Sequence, residues 1–313
     1  MTRPNQSLNI DDLRLLHVWH RGIDLTFSDH ANDTNESCQA IEIGFSHPYV
    51  LHMILAVSAF YSLHHNPTKV KLYEQASAHN LVGLQLARPH LVRTEQDNGD
   101  ALLYFAAFNS IFALAEPPLR SLVTLDSPPL DPIPELLNAF RMSRGILAIT
   151  TSRETGPHTI SVQNKDIWKD NEDEVASTLE QDYPQMQVLQ VMIESQCTEP
   201  QKTASLQAVR ELFICFAVLQ TNSRTHSSTR RIQTWPMHID PLVLELMQHK
   251  HPAGLIMIAH YAALMSLRSF IWLFQRWPPL LMSSVEEQLE KQWKRYLEWP
   301  RAVMHENMHS NKS

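Results

Sequence analysis

The sequence predicts an all-α fold: a single large helical bundle of about ten helices. Three observations carry this. The 313 residues include only seven glycines against nineteen prolines. That is too little glycine for turn-dense β architectures, and it suits long helices joined by proline-bearing loops. Apolar residues recur at helical spacing in one segment after another, with no alternating strand pattern and no internal repeat. Hydrophobic residues make up 43% of the chain, enough for a sizeable core. We read one domain over 1–313, with a soft boundary near 120–135.

Asn9-Ile10-Asp11-Asp12 reads as a helix start, an asparagine cap followed by first-turn acids. Leu13, Leu16, His20 and Ile23 share a stripe after it. Residues 29–38 are rich in Asp, Asn and Ser and read as a polar loop. Pro48 opens a second helix to about Leu63, apolar nearly all round and therefore central. Pro67 opens a third, to about Val92. A fourth covers 99–115, and Glu116-Pro117-Pro118 is expected to end it, because proline lacks an N–H and crowds the preceding turn. Residues 125–134, with Pro128, Pro129, Pro132 and Pro134, read as a stiff linker. A helix follows over about 134–149.

Residues 150–182 form a polar, acidic surface excursion carrying Asp170, Glu172, Asp173 and Glu174. Helices resume near 184–197 and 203–220. Residues 223–231 read as a short basic loop. Helices at about 239–249, 252–275 and 283–308 close the chain. The segment 252–274 has the length of a bilayer span. His260 and Arg268 interrupt it, and a mid-span arginine is costly, so a buried central helix is expected and no membrane span.

Composition excludes several function classes. A net charge of −7 disfavours a basic nucleic-acid surface, and Arg230-Arg231 is too short a footprint for one. Cys38, Cys197 and Cys215 form no C-x-x-C pair, so neither structural zinc nor a redox motif is indicated. Three scattered cysteines fit a reducing compartment, nucleus or cytoplasm. There is no glycine-rich phosphate loop, no H-E-x-x-H and no G-x-S-x-G. No cofactor is expected.

Four stretches carry a resemblance: the opening Leu8–Leu13, the block Ser46-His47-Pro48-Tyr49-Val50-Leu51-His52, the apolar Pro252–Ala263, and the closing Trp293–Pro300. Together they resemble the effector domain of fungal zinc-cluster regulators of the sterol uptake control type. The likeness runs from about Leu8 to Met304. It implies a helical bundle whose hydrophobic pocket takes a sterol-like ligand. The six-cysteine DNA-binding region of such regulators is not found in this sequence. The implied protein partner is a second copy or a full-length regulator, with no direct nucleic-acid contact. After Trp272 the sequence reads Leu273-Phe274-Gln275-Arg276-Trp277-Pro278-Pro279, where family members often carry a glycine-bearing turn. The Pro-Pro pair stiffens this turn and widens the ligand class to terpenoids and polyketides.

Candidate residues are polar or aromatic groups on apolar helices, where each needs a partner. His52 is the pocket candidate of the second helix. His260, Tyr261 and Arg268 lie in the most apolar helix, where a few convergent polar groups could orient an apolar ligand. Tyr104, Phe108, Trp272 and Trp277 complete the expected lining, although Tyr104, Phe105 and Phe108 also suit a plain core. His17 and His20, with Asp24, place donors on one helix face but too few for a metal site. His47 is expected to help cap the helix that starts at Pro48. His64 and His65 sit near a helix end, where the dipole favours a cationic imidazole.

Two functions follow from these readings. One is a regulator-like effector module that binds a hydrophobic sterol-, terpenoid- or polyketide-like molecule. The other is a stand-alone, cofactor-independent cyclase or isomerase of fungal secondary metabolism built on the same pocket. In that case His52, His260 and Tyr261 would be the acid–base groups.

Overall fold

A computed structural model describes residues 9–21, 23, 33–92, 99–123, 130–151, 178–221 and 226–310. Among these there is no strand, and a short helical stretch over 178–182 makes that end of the expected polar excursion 150–182 helical, with Leu179 buried. The other elements are thirteen α-helices and one 3-10 helix. They are α1 (Ile10–His20), α2 (Asp33–Ser46), α3 (Pro48–His65), α4 (Lys71–Val92), α5 (Gly99–Val123), α6 (Pro132–Thr151) and α7 (Pro184–Gln196). The chain continues through α8 (Gln201–Thr221), α9 (His226–His238), α10 (Pro241–Gln248), α11 (Pro252–Ser266), α12 (Trp277–Gln288), the 3-10 helix Lys291–Leu297 and α13 (Glu298–Ser310).

Two helices organise the packing. α3, apolar on every face, is wrapped by α1, α2, α4 and α5. α11 is wrapped by α7, α8, α10, α12, the 3-10 helix and α13. Every α11 residue from Ala253 to Ser266 is buried. α6 joins the two groups through α5, α9, α10 and α12. Among the described residues the main apolar core takes in side chains from Leu15 to Met304 on both sides of the soft boundary near 120–135, and a small second cluster joins Leu103, Ala107, Ile146 and Met237. By length and composition α5 could cross a membrane, and 78% of its apolar window is buried inside the fold.

The helix count exceeds ten for identifiable reasons. The polar loop expected over 29–38 gives way to α2 from Asp33, where acidic and amide side chains occupy a helix's first turn. Of the expected basic loop 223–231, the described residues from His226 on form α9, and Arg231 is buried at 2% exposure. The expected helix 252–275 ends at Ser266 and continues as turns to α12. The expected helix 283–308 starts earlier and is broken by the 3-10 segment. Asp24, the linker prolines Pro128 and Pro129, the excursion over 152–177 and the Arg230 side chain lie outside the described residues.

α5 does not stop at Pro117-Pro118 but runs through both to Val123. Neither proline has an N–H, so the Leu114 carbonyl has no helical donor three or four residues ahead. The indole N–H of Trp277 donates to that carbonyl at 2.8 Å. The arrangement recurs in α9. Pro236 leaves the Ile232 carbonyl without its i+4 donor, and the Tyr261 hydroxyl donates to it at 2.8 Å.

The α10–α11 corner is equally specific. Lys250 takes φ 56°, His251 N–H bonds the Leu246 carbonyl at 2.9 Å, and Lys250 N–H bonds the Met247 carbonyl at 3.1 Å. This is a Schellman closure with lysine at the usual glycine position. His251 then caps α11, its Nδ1 accepting from Ala253 N–H at 3.2 Å. Gly254 lies against the α10 backbone, where a Cβ would meet Leu246 C at 2.6 Å.

Candidate functional site

α11 presents His260 and Tyr261 at successive positions, about 100° apart around the helix. They therefore enter different surroundings. Tyr261 stacks on Trp235 at 5.1 Å between ring centroids and meets Phe140 edge-on at 5.2 Å. Its proton is committed to the Ile232 carbonyl, and burial raises its pKa well above the ordinary value. The hydroxyl is a structural plug rather than an acid or base at neutral pH.

His260 is fully buried. Its Nδ1–H donates to the Ile256 carbonyl at 2.9 Å, which fixes the tautomer and leaves a lone pair on Nε2. Nε2 is buried and has no hydrogen-bond partner among the described residues. The ring lies face to face with Trp299, at 5.4 Å and 13°, and Phe213 stands 6.0 Å away. Burial lowers the His260 pKa to about 4, with the Ile256 bond opposing the shift. The group is thus a neutral imidazole presenting one unused acceptor inside an aromatic enclosure. Such an acceptor costs about 1–3 kcal/mol of lost hydration and is satisfied by any O–H or N–H that reaches it.

The other expected ligand residues take separate partners. Arg268 donates to the carbonyls of Leu267 and Leu219, at 3.1 and 3.0 Å. Trp272 packs edge-on to Tyr61 at 5.6 Å and lies 6.0 Å from His64. Trp277 serves Leu114. Phe108 meets Trp19 edge-on at 5.0 Å, and Tyr104 lies 5.8 Å from Phe108. These aromatics build core walls around α5 and α3.

Two expectations about histidines are corrected. His47 is the N-cap of α3 but makes no capping bond, and its ring rests 5.6 Å from Tyr49. His64 is not held as a cation by the helix end. Burial first, then the neighbouring His65 and Arg276, lowers its pKa to about 4. His17 and His20 are exposed on α1.

His52 takes part in an arrangement that sequence reasoning missed. Its Nδ1 lies 3.0 Å from Nδ1 of His79 on α4. Nε2 of His79 lies 3.2 Å from Asp12 Oδ1 on α1. A carboxylate and two imidazoles thus join three helices. The His52 pKa is lowered by burial and by His79, while Asp12 opposes the shift. Nothing in the composition of α4 marks His79, because each partner comes from a different helix.

A cavity of about 10 Å³ lies between α5, α6 and α9, with Ser110, Ser143, Gln233 and Tyr261 in its lining. That is room for a single water; ligand pockets measure roughly 300–1,000 Å³. Ser110 and Ser143 share a hydrogen bond of 2.6 Å there, and Gln233 Oε1 has no partner among the described residues. No cluster of three or more His, Cys, Asp or Glu side chains suited to a metal occurs among the described residues. The chain matches no protein-family model, no curated protein and no solved structure.

Proposed function

We propose that this chain is a binding module for a hydrophobic small molecule of the sterol, terpenoid or polyketide kind, and that it works as a regulator-like effector. One observation carries the reading: the unused Nε2 acceptor of His260, buried against Trp299 and Phe213. A ligand hydroxyl would satisfy that acceptor while its apolar body replaced aromatic contacts. The ligand class is thus an apolar molecule with at least one donor. Trp299 sits at the start of α13 and is only partly buried. In this reading Trp299, stacked on His260, is the wall that a ligand would displace to reach Nε2. The resemblance of Pro252–Ala263 and Trp293–Pro300 to sterol-type effector domains falls on these same helices. Output then passes to a protein partner, either a second copy or a full-length regulator.

The test is a titration of the purified chain with a panel of hydroxylated sterols, terpenoids and polyketides, read by tryptophan fluorescence. A saturable change that disappears in Trp299→Phe supports the reading. A panel that leaves the signal of the native chain unmoved sinks it. Mass spectrometry of the same mixtures tests the cyclase or isomerase alternative, whose signature is a product isomeric with the added compound.

A further inference from the structure

We propose that the outer face of α4 is a homodimer interface, where a second copy of this chain packs its own α4 in antiparallel register about Leu81. This gives the second-copy partner of the proposed function a surface. It does not depend on the His260 site, and the ligand titration and the association measurement below fail separately.

α4 lies at the edge of the bundle, with its main contacts to α3 and α5. Its inner side is set by Ala76, Gly83 and Ala87, all buried. A Cβ at Gly83 would come within 3.1 Å of Met53 Sδ and 3.3 Å of the Tyr49 carbonyl on α3. Two residues of helix turn through about 200°, so Leu81 points away from α3. Leu81 is 57% exposed and Leu91 51%; Leu84, one turn beyond Leu81, is 39% exposed. These leucines lie within about 80° of one another around the helix and form one apolar stripe.

Charge identifies what covers the stripe. Glu74 and Arg88 are exposed, and each lies seven residues from Leu81. Seven residues make nearly two whole turns, so the three side chains fall on one line. No other Asp, Glu, Lys or Arg occurs between them. Fourteen residues of helix span about 21 Å, too far for the two charges to pair within one chain. Neither has an ion-pair partner among the described residues. A two-fold axis through Leu81 answers both charges at once. Glu74 then faces Arg88 of the second copy, and Arg88 faces Glu74 of the second copy. Leu81 meets Leu81 on the axis, and Leu84 meets the exposed, small Ala78. A parallel pairing would set Glu74 against Glu74 and Arg88 against Arg88, and like charges across an interface repel. All these pairs precede Pro89, the one proline within α4. A self-complementary contact of this kind closes at two copies.

One helix face is a small interface, of the weak and transient class below roughly 1,200 Å². A dissociation constant on the order of tens of micromolar is expected.

The experiment is sedimentation velocity of the full chain over a concentration series reaching about ten times that constant, where dimer dominates. The native chain should pass from monomer to dimer. Leu81→Arg, Glu74→Arg and Arg88→Glu each set like charges face to face and should each weaken the dimer at least about tenfold. An equimolar mixture of Glu74→Arg and Arg88→Glu restores two opposite-charge pairs and should recover a heterodimer of near-native affinity. Leu86→Arg, at a position 41% exposed on the other side of α4, should dimerise as the native chain does. Circular dichroism checks each fold, and Leu81→Gln replaces Leu81→Arg if that variant unfolds. A native chain that stays monomeric throughout overturns the proposal and leaves the stripe to a different protein. A dimer indifferent to Leu81→Arg overturns it too, as does a mixture that fails to recover association, because the antiparallel register requires that recovery.

Discussion

The indole N–H of Trp277 fills the Leu114 carbonyl, 2.8 Å away, where Pro117 and Pro118 have no N–H to offer. An aromatic donor on α12 thereby lets α5 run through two prolines. Tyr261 does the same for Ile232 ahead of Pro236. Both residues invite a ligand-binding reading from sequence, and both are spent on repairing helices.

Trp277→Phe should destabilise the chain by about 1–3 kcal/mol, because it strands a buried carbonyl. Restoring the local donor with Pro118→Ala should recover part of that loss. A double-mutant cycle in urea unfolding measures the coupling, expected at roughly 0.5–3 kcal/mol. Additive effects would mean that the indole contributes by packing alone.

Much of the fold was legible because α3 and α11 are apolar on every face, and such helices can only be central. The path through Pro117-Pro118 was not legible, since proline ends a helix unless a distant group satisfies the freed carbonyl. α2 was hidden because Asp, Asn and Ser serve loops and helix starts alike. At the candidate site, the burial of His260 could be read from its helix, but its unused Nε2 could not. Which nitrogen is spent depends on the bond to Ile256. His79 had no local signal, because its meaning comes from Asp12 and His52 on two other helices.

Gly254 and Gly145 should respond to alanine in opposite directions. A Cβ at Gly254 would meet Leu246 C and Met247 N of the α10 backbone at 2.6 Å, and helix backbone cannot swing aside. Gly254→Ala should cost about 1–3 kcal/mol through forced separation of α10 and α11. At Gly145, exposed within α6, nothing lies within 4 Å. Gly145→Ala should stabilise by about 0.5–1 kcal/mol through helix propensity. Chemical denaturation of the two variants side by side checks both signs.

His260→Phe separates a structural role from a binding role. Phenylalanine keeps the flat ring against Trp299 and removes the unsatisfied acceptor. Removing an unsatisfied buried acceptor removes its desolvation cost, and the Ile256 carbonyl, inside α11, keeps its backbone N–H donor when the imidazole is lost. The variant should therefore melt at or above the native temperature while losing affinity for hydroxylated ligands. A melting temperature that falls by several degrees would assign His260 to the core, with its Ile256 bond as its purpose.

Acid should weaken the fold through the same residue, and the sign follows from proton counting. Burial lowers the His260 pKa to about 4, from an unfolded value of 6.5. Between those values the unfolded chain holds the extra proton, so stability rises with pH. The contribution is complete above about pH 6.5 and is lost as pH falls through the folded value. The difference between pH 7 and pH 4 amounts to roughly 3 kcal/mol for a fully buried imidazole. His64 shifts in the same direction, but it is partly solvated and adds less. Urea unfolding at pH 7, 5.5 and 4 should show His260→Phe gaining on the native chain as pH drops. Carboxylate titrations common to both proteins cancel in that comparison. Two curves that stay parallel across this range would mean that His260 takes up its proton in the folded state as readily as in the unfolded one, and that its enclosure admits water.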